Sequence, residues 1–248
     1  MTEPLKSACA RPLLLERMGR VPYGPMLALQ EQRHAEVQAG THADTLFLLE
    51  HQPVVTLGKN ASTEHLLASR AELAAQGVEL FATGRGGDVT YHGPGQVVGY
   101  PIVGLQEGER DIQRYVTALE ETMIRTAHSY GITAARVPGL RGIWVNNNKI
   151  GAVGVRIANW TTLHGFAFNI ARDLPGFKLI VPCGIHDRGV TSLGHELGYE
   201  PPLDEVMSRL AEHAAAALGR KLTVAQATPL PLWTALAEAG ATDVRKFL

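Results

Sequence analysis

Short apolar runs bounded by turn residues mix irregularly with helical segments along this chain. Residues 45–50 and 53–58 are dense apolar runs separated by two residues, which predicts two strands that are neighbours in one sheet. The other predicted strands are at 78–82, 97–103, 149–158 and 161–170, and helices are predicted at 25–38, 69–76, 112–130, 203–218 and 230–238. Strict βαβ alternation is lacking, so the pattern predicts an α+β fold: a single mixed-sheet domain with flanking helices. We expect this domain to span 1–248, with a loose N-terminal tail at 1–12 and closing helices in 203–248.

The composition narrows the class of protein. The chain is 45% hydrophobic and 19% charged with a net charge of −1, which is typical of a globular protein and argues against a general nucleic-acid binder. Its two cysteines, Cys9 and Cys183, do not form a disulfide framework and indicate a reducing compartment. The apolar run at Leu13–Leu15 is too short for a signal-peptide core, and no segment is long enough to span a membrane, so we expect a cytoplasmic protein.

A glycine-rich segment at 83–96 is the first candidate for function. Five glycines surround a short run that contains Arg85, Tyr91 and His92. No Gly-Lys-Ser/Thr follows, so it is not a nucleotide P-loop, and the β-branched Val89 and Thr90 do not open a helix as a dinucleotide fingerprint requires. Glycine clusters on both sides of one strand favour a ligand-binding loop over a plain hairpin.

Cys183 follows Pro182 at the end of an apolar run and precedes Gly184. Proline and glycine there predict a tight turn that could present the thiol to a cleft, although a free cysteine is more often a small core residue.

A second candidate is Lys149, which follows an asparagine turn in a predicted β-hairpin. Strict strand alternation would place it on the face of Gly151, Val153, Val155 and Ile157, where an ammonium could lower the pKa of a nearby thiol. The plainer interpretation is a lysine that extends into water. Small residues on this strand and the next leave room for a thin ligand such as an alkyl chain; they are Gly151, Ala152, Gly154, Gly165 and Ala167.

The residues alone leave several functions open. Cys183 could act in a Cys/His hydrolase with His92, His164 or His186 as the base. Cys183, His186 and His195 could ligate a metal, but a fourth ligand is not evident. A non-catalytic acyl-binding module would make the pairing of Cys183 with Lys149 accidental.

Four motifs together resemble the octanoyltransferases of lipoate biosynthesis, also called lipoyl(octanoyl) transferases. They are RGGDVTYHGPGQVVGYPI at 85–102, KIGAVGVRI at 149–157, HGFAFNI at 164–170 and LIVPCGIHDRGVTSL at 179–193, and LEHQPVVTLGK at 49–59 also fits. The resemblance covers about residues 22–197, and it implies a catalytic domain similar in fold to the biotin and lipoate protein ligases.

The resemblance implies a role for each matched residue. Cys183 would be the acyl-thioester nucleophile, and Lys149 would lower its pKa. The acyl and substrate site would be lined by Arg85, Gly86, Gly87, Asp88, Val89, Thr90, Tyr91, His92, Ala152, Val153, Gly154, Gly165, Phe166 and Ala167. The reaction would need no cofactor and no metal.

The implied partners are proteins. Octanoyl-acyl carrier protein would donate the acyl group. Lysines on lipoyl domains of 2-oxoacid dehydrogenases or on the glycine-cleavage H protein would accept it. An ATP-dependent lipoate or biotin ligase is the nearest rival, but the chain lacks a second glycine- and arginine-rich adenylate loop.

Overall fold

The computed structural model describes residues 10–181 and 188–224. The strands are β1 (Pro12–Val21), β2 (Asp44–His51), β3 (Val54–Leu57), β4 (Glu79–Ala82), β5 (Val89–His92), β6 (Gln96–Ile102), β7 (Ile143–Val145), β8 (Asn148–Ala158), β9 (Thr161–Asn169), β10 (Gly189–Val190) and β11 (Lys221–Val224). The helices are α1 (Tyr23–Gln38), α2 (Arg70–Ala75), α3 (Ile112–His128), α4 (Leu193–Leu197) and α5 (Leu203–Ala217). None of the described helices is long and apolar enough to cross a membrane.

The strands form a large mixed sheet and a small one. The large sheet has the order β10-β8-β9-β6-β2-β1-β11, with β7 added to β8, and it contains both parallel and antiparallel pairs. The small sheet has the order β4-β3-β5. The mixed sheets with flanking helices confirm the predicted α+β class.

Helices cover both faces of the large sheet. On one face α3 buries Leu119 and Met123 against β8 and β9 residues such as Phe168, and α5 packs Leu210 beside α3 and over β2. On the other face α1 buries Met26 and Leu29 against β2 and β6. A third apolar cluster, which includes Leu73 and Tyr91, packs α2 on the small sheet. The large sheet therefore lies between helices and carries the strands β8 and β9.

Local signals placed several element ends correctly. Ser69 and Asp111 stand at the starts of the predicted helices and are residue types that favour N-caps; their side chains accept backbone N–H groups at the starts of α2 and α3, which confirms both as N-caps. Asn146 has φ +51 between β7 and β8, which confirms the asparagine turn of the predicted hairpin.

The predicted pairing of residues 45–50 with 53–58 is wrong. β2 pairs with β1 and β6, whereas β3 pairs with β4 and β5 in the small sheet. Pro53 lies in the link, and it has no N–H to continue a ladder, so the chain leaves the large sheet there.

Two further features differ from the sequence-based prediction. β1 was not predicted, because Glu16, Arg17 and Arg20 interrupt its apolar pattern; Glu16 and Arg20 are held by ion pairs with Arg33 and Glu50. Ile112 is 55% exposed, although the helical spacing of apolar residues in 112–124 predicts it on the buried face of α3. Three predictions lie outside the described residues: the turn at Cys183, the helix at 230–238 and most of the tail at 1–12.

Candidate functional site

A cavity of about 680 Å³ lies between the β8–β9 face, the glycine-rich segment and the first turn of α3. Most of the site residues predicted from sequence line it: Arg85, Gly86, Gly87, Asp88, Val89, Thr90, His92, Lys149, Ala152, Val153, Gly154, Gly165, Phe166 and Ala167. Its volume falls within the range of roughly 300–1,000 Å³ that is typical of small-molecule sites. The structure thus brings three separate sequence motifs to one concave surface.

Tyr91 is the one described residue of the predicted set that does not line this cavity. It is buried in the small-sheet cluster, and its ring lies 5.8 Å from the ring of Phe177. Gly176 packs so closely on this ring that an added Cβ would lie 2.0 Å from Tyr91 Cζ. Tyr91 therefore packs under the glycine-rich loop in the small-sheet cluster and does not face the cavity.

Arg85 braces the glycine-rich loop. Its guanidinium is buried and donates to the backbone oxygen of Thr56 at 2.7 Å and to the Thr56 hydroxyl at 2.9 Å. The loop then crosses the edge of β8, where Gly86 N donates to Val155 O at 2.9 Å. Asp88 accepts from Ser62 N and binds the ring of His65, which fixes the far end of the loop.

The small residues of β8 and β9 have two different causes. A Cβ at Gly165 would lie 2.1 Å from Gly99 O, and a Cβ at Gly151 would lie 2.6 Å from Met123 Sδ, so protein neighbours require these glycines. A Cβ at Gly154 would instead approach Arg85 Cδ and Gly86 O, both at 3.2 Å, on the side of the glycine-rich loop. Room for a ligand therefore depends on Gly154 more than on Gly165 or Gly151.

We expect Gly165→Ala to lower the free energy of unfolding by about 1–3 kcal/mol, because its methyl group would overlap a backbone oxygen. Denaturant titration measures this loss. Gly108→Ala is the matched control, since nothing lies within 4 Å of its Cβ position, and it should change stability by less than about 0.5 kcal/mol. Equal stabilities of the two variants would contradict this packing.

Lys149 is only 7% exposed at the start of β8. Its Nζ lies 4.8 Å from the centroid of the Trp144 ring, and the Arg188 guanidinium lies 5.2 Å from the same centroid. Thr191 N donates to Lys149 O at 2.9 Å, just beyond the parallel pair β8–β10. Two cations thus contact one indole ring at the cavity wall.

The strict alternation used for Lys149 is wrong. Ile143 is opposite Gly151 but Trp144 is opposite Lys149, so Ile150 is an extra residue in β8. Ile150 packs in the same core cluster as Val153 and Val155, although alternation put it on the opposite face. A bulge of this kind shifts the phase of a strand.

One end of the cavity is polar. Tyr23, Tyr100, His92 and His164 line it. His51 lies behind them, donating from Nδ1 to Val21 O and accepting the Tyr100 hydroxyl at Nε2, 2.7 Å away. Burial lowers the pKa of His51 to about 4 and those of His92 and His164 to about 3, so all three imidazoles are neutral.

His164 is unusual among the cavity residues. It has φ +61, and neither of its ring nitrogens has a hydrogen-bond partner among the described residues. Its backbone N–H donates to Gln30 Oε1, and Gln30 Nε2 is also without a partner there. From sequence His164 was predicted only as a possible base, and Tyr23, Tyr100 and His51 carried no signal that predicted a function.

The possible metal ligands are not brought together in the described residues. His195 is exposed on α4, while Cys183 and His186 lie outside the description. Residues 10–181 and 188–224 contain no group of three or more His, Cys, Asp or Glu side chains arranged to hold a metal ion.

The fold and a family comparison together define the class of this protein. Residues 22–215 match the family model described as the lipoyl protein ligase A/B catalytic domain. Solved structures with the same fold include lipoate-protein ligase A bound with ATP (TM-score 0.71, 18% identity, 93% of this chain and 94% of that one). Another is a bi-partite lipoate protein ligase with its E2 lipoyl domain from Thermoplasma acidophilum (TM-score 0.67, 17% identity, 93% and 91%). Biotin protein ligase from Aquifex aeolicus is more distant (TM-score 0.53, 12% identity, 82% and 69%).

Curated relatives narrow the class. The chain is 50% identical over 201 residues to the octanoyltransferase of Solibacter usitatus, covering 81% of this chain and 90% of that protein. It is 51% identical over 203 residues to that of Chloroflexus aurantiacus, covering 81% and 91%. The chain belongs to the octanoyltransferase family, which confirms the resemblance and the ligase-like fold inferred from sequence.

Proposed function

We propose that this protein transfers an octanoyl group from octanoyl-acyl carrier protein to a lysine of a lipoyl domain, through a thioester on Cys183. The observation that carries the proposal is the 680 Å³ cavity in which the glycine-rich loop, the β8–β9 wall and Lys149 meet. The family membership names octanoyl as the acyl group. We expect the chain to act as one catalytic domain in the cytoplasm.

The chain on both sides of Cys183 is fixed beside this cavity. Val181 N donates to His65 O at 2.8 Å, and His65 binds Asp88 in the cavity wall. Gly189 and Val190 pair with Asn148 and Lys149. Cys183 belongs to the seven residues between these anchors, which supports a thiol within reach of Lys149.

The first half-reaction would form the thioester. The Cys183 thiolate attacks the carbonyl carbon of the donor thioester, and the carrier thiolate leaves with a proton from the Lys149 ammonium, which leaves Lys149 neutral. A cation near the thiol raises the fraction of thiolate at neutral pH. One thioester replaces another, so no ATP is consumed.

The second half-reaction would form an amide. The lysine amine of the acceptor attacks the acyl carbon, and the Cys183 thiolate leaves. The amine must lose one proton, and Lys149 is our candidate base because it lines the cavity. The substrate-binding roles of Arg85–His92, Ala152–Gly154 and Gly165–Ala167 remain part of this proposal.

The shared fold with ATP-binding ligases makes ATP dependence the deciding test. A mixture of the purified protein, octanoyl carrier protein and a lipoyl domain should yield octanoylated lipoyl domain without ATP. The intact mass of the lipoyl domain measures this product. Free octanoate with ATP should yield none. The reverse pattern would support a ligase, and no product from either donor would support a binding module.

Positive charge around the cavity should steer the carrier protein, which is acidic. Arg141 and Arg156 are exposed, and Arg141 lines the cavity; Arg172 and Lys178 are also exposed. Raising salt from about 0.03 M to 0.3 M shortens the screening length roughly threefold and should weaken the apparent affinity. Arg141→Glu should flatten that dependence more than Arg70→Glu on α2, which lies outside the cavity wall. An affinity unaffected by salt would contradict electrostatic steering.

A further inference from the structure

A series of hydrogen bonds that joins three buried side chains, Asn169, Gln96 and His92, fixes the tautomer of the His92 imidazole. Asn169 Nδ2 donates to the backbone oxygen of Thr191 at 2.9 Å, so Asn169 Oδ1 must face the other way. That oxygen accepts from Gln96 Nε2 at 3.0 Å, and Gln96 Oε1 then lies 2.7 Å from His92 Nδ1. The exposed fractions of His92, Gln96 and Asn169 are 7%, 1% and 3%, so water does not compete for these bonds.

The donor and acceptor directions along this series of hydrogen bonds determine the tautomer of His92. Thr191 O can only accept, which sets the amide of Asn169, and that in turn sets the amide of Gln96. Gln96 Oε1 accepts, so His92 Nδ1 carries the hydrogen and Nε2 carries a lone pair. Nε2 has no partner in the described part of the chain, and His92 borders the cavity.

Thr191, the residue after β10, also fixes the backbone position of Lys149. Thr191 N donates to Lys149 O, while Thr191 O accepts from Asn169. One residue therefore fixes both the backbone of Lys149 and the ring orientation of His92. Gln96, Asn169 and Lys149 also meet around a small second pocket.

We propose that Gln96 and Asn169 are positioning residues that hold His92 as the Nδ1–H tautomer, so that Nε2 accepts an N–H of the incoming lysine amine. This inference rests on the proposed function, in which the saturated acyl chain and the reacting thioester carbonyl offer no N–H. The amine offers two, and orienting one of them on Nε2 aims the nitrogen lone pair elsewhere in the cavity.

His92 accepts a hydrogen bond and does not take the proton. Burial, the neighbouring His51 ring 5.8 Å away, and the charge of Arg85 lower its pKa to about 3, with Gln96 opposing and His164 adding a smaller effect. An imidazole this weakly basic stays neutral during turnover at neutral pH, so its acceptor atom is always available.

The tautomer is tested directly with 15N-histidine NMR of the whole protein, with His92 assigned from a His92→Asn sample. The wild type should show His92 neutral and protonated at Nδ1, and its Nε2 signal should shift when a short lysine peptide is added. Gln96→Met removes the acceptor and should move His92 toward the Nε2–H form. A wild-type His92 protonated at Nε2 would overturn the proposal.

Two substitutions of His92 separate orientation from packing. His92→Asn can still donate to Gln96 but places nothing at the Nε2 position, whereas His92→Gln can place a carbonyl oxygen near it. The rates of cysteine acylation and of transfer to the lipoyl domain are measured separately. The ratio of transfer to acylation should fall at least about tenfold in His92→Asn, a loss of about 1.4 kcal/mol, and less in His92→Gln.

The outcomes distinguish this proposal from the proposed function. Equal ratios in wild type and His92→Asn would overturn the role of His92 while leaving acyl transfer intact. Absence of any acyl adduct in the wild type would instead remove the proposed function. In that case the NMR signal of His92 Nε2 decides whether His92 binds an amine. A shift on addition of the lysine peptide would retain this role, and an unchanged signal would overturn it.

Discussion

Lys149→Ala should slow alkylation of Cys183 at neutral pH by about tenfold or more. An ammonium a few ångströms from a thiolate lowers the thiol pKa by about one unit or more, and each unit is a tenfold change in thiolate below that pKa. Removing the ammonium returns the pKa toward its ordinary value, so the variant is mostly thiol at neutral pH. At alkaline pH both proteins are thiolate, and the two rates should converge.

Iodoacetamide pH profiles of the two proteins measure this effect, with modification read at the Cys183 peptide. Lys221→Ala is the matched control, because Lys221 is exposed on β11 at the opposite edge of the sheet from β8. Identical profiles for wild type and Lys149→Ala would remove Lys149 from the electrostatics of the thiol.

The same variants test the base. Pre-acylated Lys149→Ala should pass its octanoyl group to a lipoyl domain slowly, because the amine has lost the group that accepts its proton. Lys149→Arg should restore part of the thiolate but not the transfer, since arginine stays protonated. Full transfer by Lys149→Arg would exclude Lys149 as the base.

Arg220→Met should lower the free energy of unfolding by about 3–5 kcal/mol at neutral pH. The buried guanidinium donates to Asp44 Oδ2 at 2.8 Å and to both oxygens of Glu109 at 2.6 and 2.8 Å. Without it, two carboxylates remain buried with fewer donors. The cluster also ties the end of α5 to the loop before α3, whose first turn lines the cavity.

The cost of Arg220→Met should depend on pH. Burial alone would raise the pKa of Glu109, but its hydrogen bonds with Arg220 and Gln106 and the charge of Arg220 hold it below the ordinary value. A lowered folded-state pKa stabilises the protein above the unfolded pKa, and this stability is lost as the pH falls through the folded one. The gap between wild type and variant should therefore narrow in acid.

Denaturant titrations at neutral and acidic pH measure both gaps. Arg209→Met is the control, because its i,i+4 pair with Glu205 is partly exposed and should contribute less than about 0.5 kcal/mol. Similar losses of unfolding free energy in the two variants would show that the buried cluster stabilises the protein no more than a partly exposed ion pair does.

The sequence predicted which motifs lie together better than it predicted how the strands pair. The motifs around Arg85, Lys149 and Gly165, grouped from sequence, line one cavity, because glycine clusters and hairpins leave local signals. Pairing between distant strands leaves none, so β3 was assigned to the wrong sheet and β1, with its charged middle, was overlooked.

Other errors came from contacts that only the fold creates. The bulge at Ile150 changes which face of β8 each side chain occupies, and no residue type in the run KIGAVGV indicates a bulge. Gly165 was interpreted as room for a ligand, yet the backbone of Gly99 on β6 requires it. Gln96 and Asn169 lay within the recognised motifs, but their role depends on hydrogen bonds across 73 and 22 positions of sequence.

Mass spectrometry tests most directly whether Cys183 carries a covalent acyl intermediate. The protein is mixed with octanoyl carrier protein without ATP or acceptor, its intact mass is measured, and the adduct is mapped by peptide digestion. We expect one octanoyl group on the peptide that contains Cys183, its disappearance when a lipoyl domain is added, and none in Cys183→Ala. An adduct on Cys9 alone, or acyl transfer to the lipoyl domain by Cys183→Ala at the wild-type rate, would contradict the account.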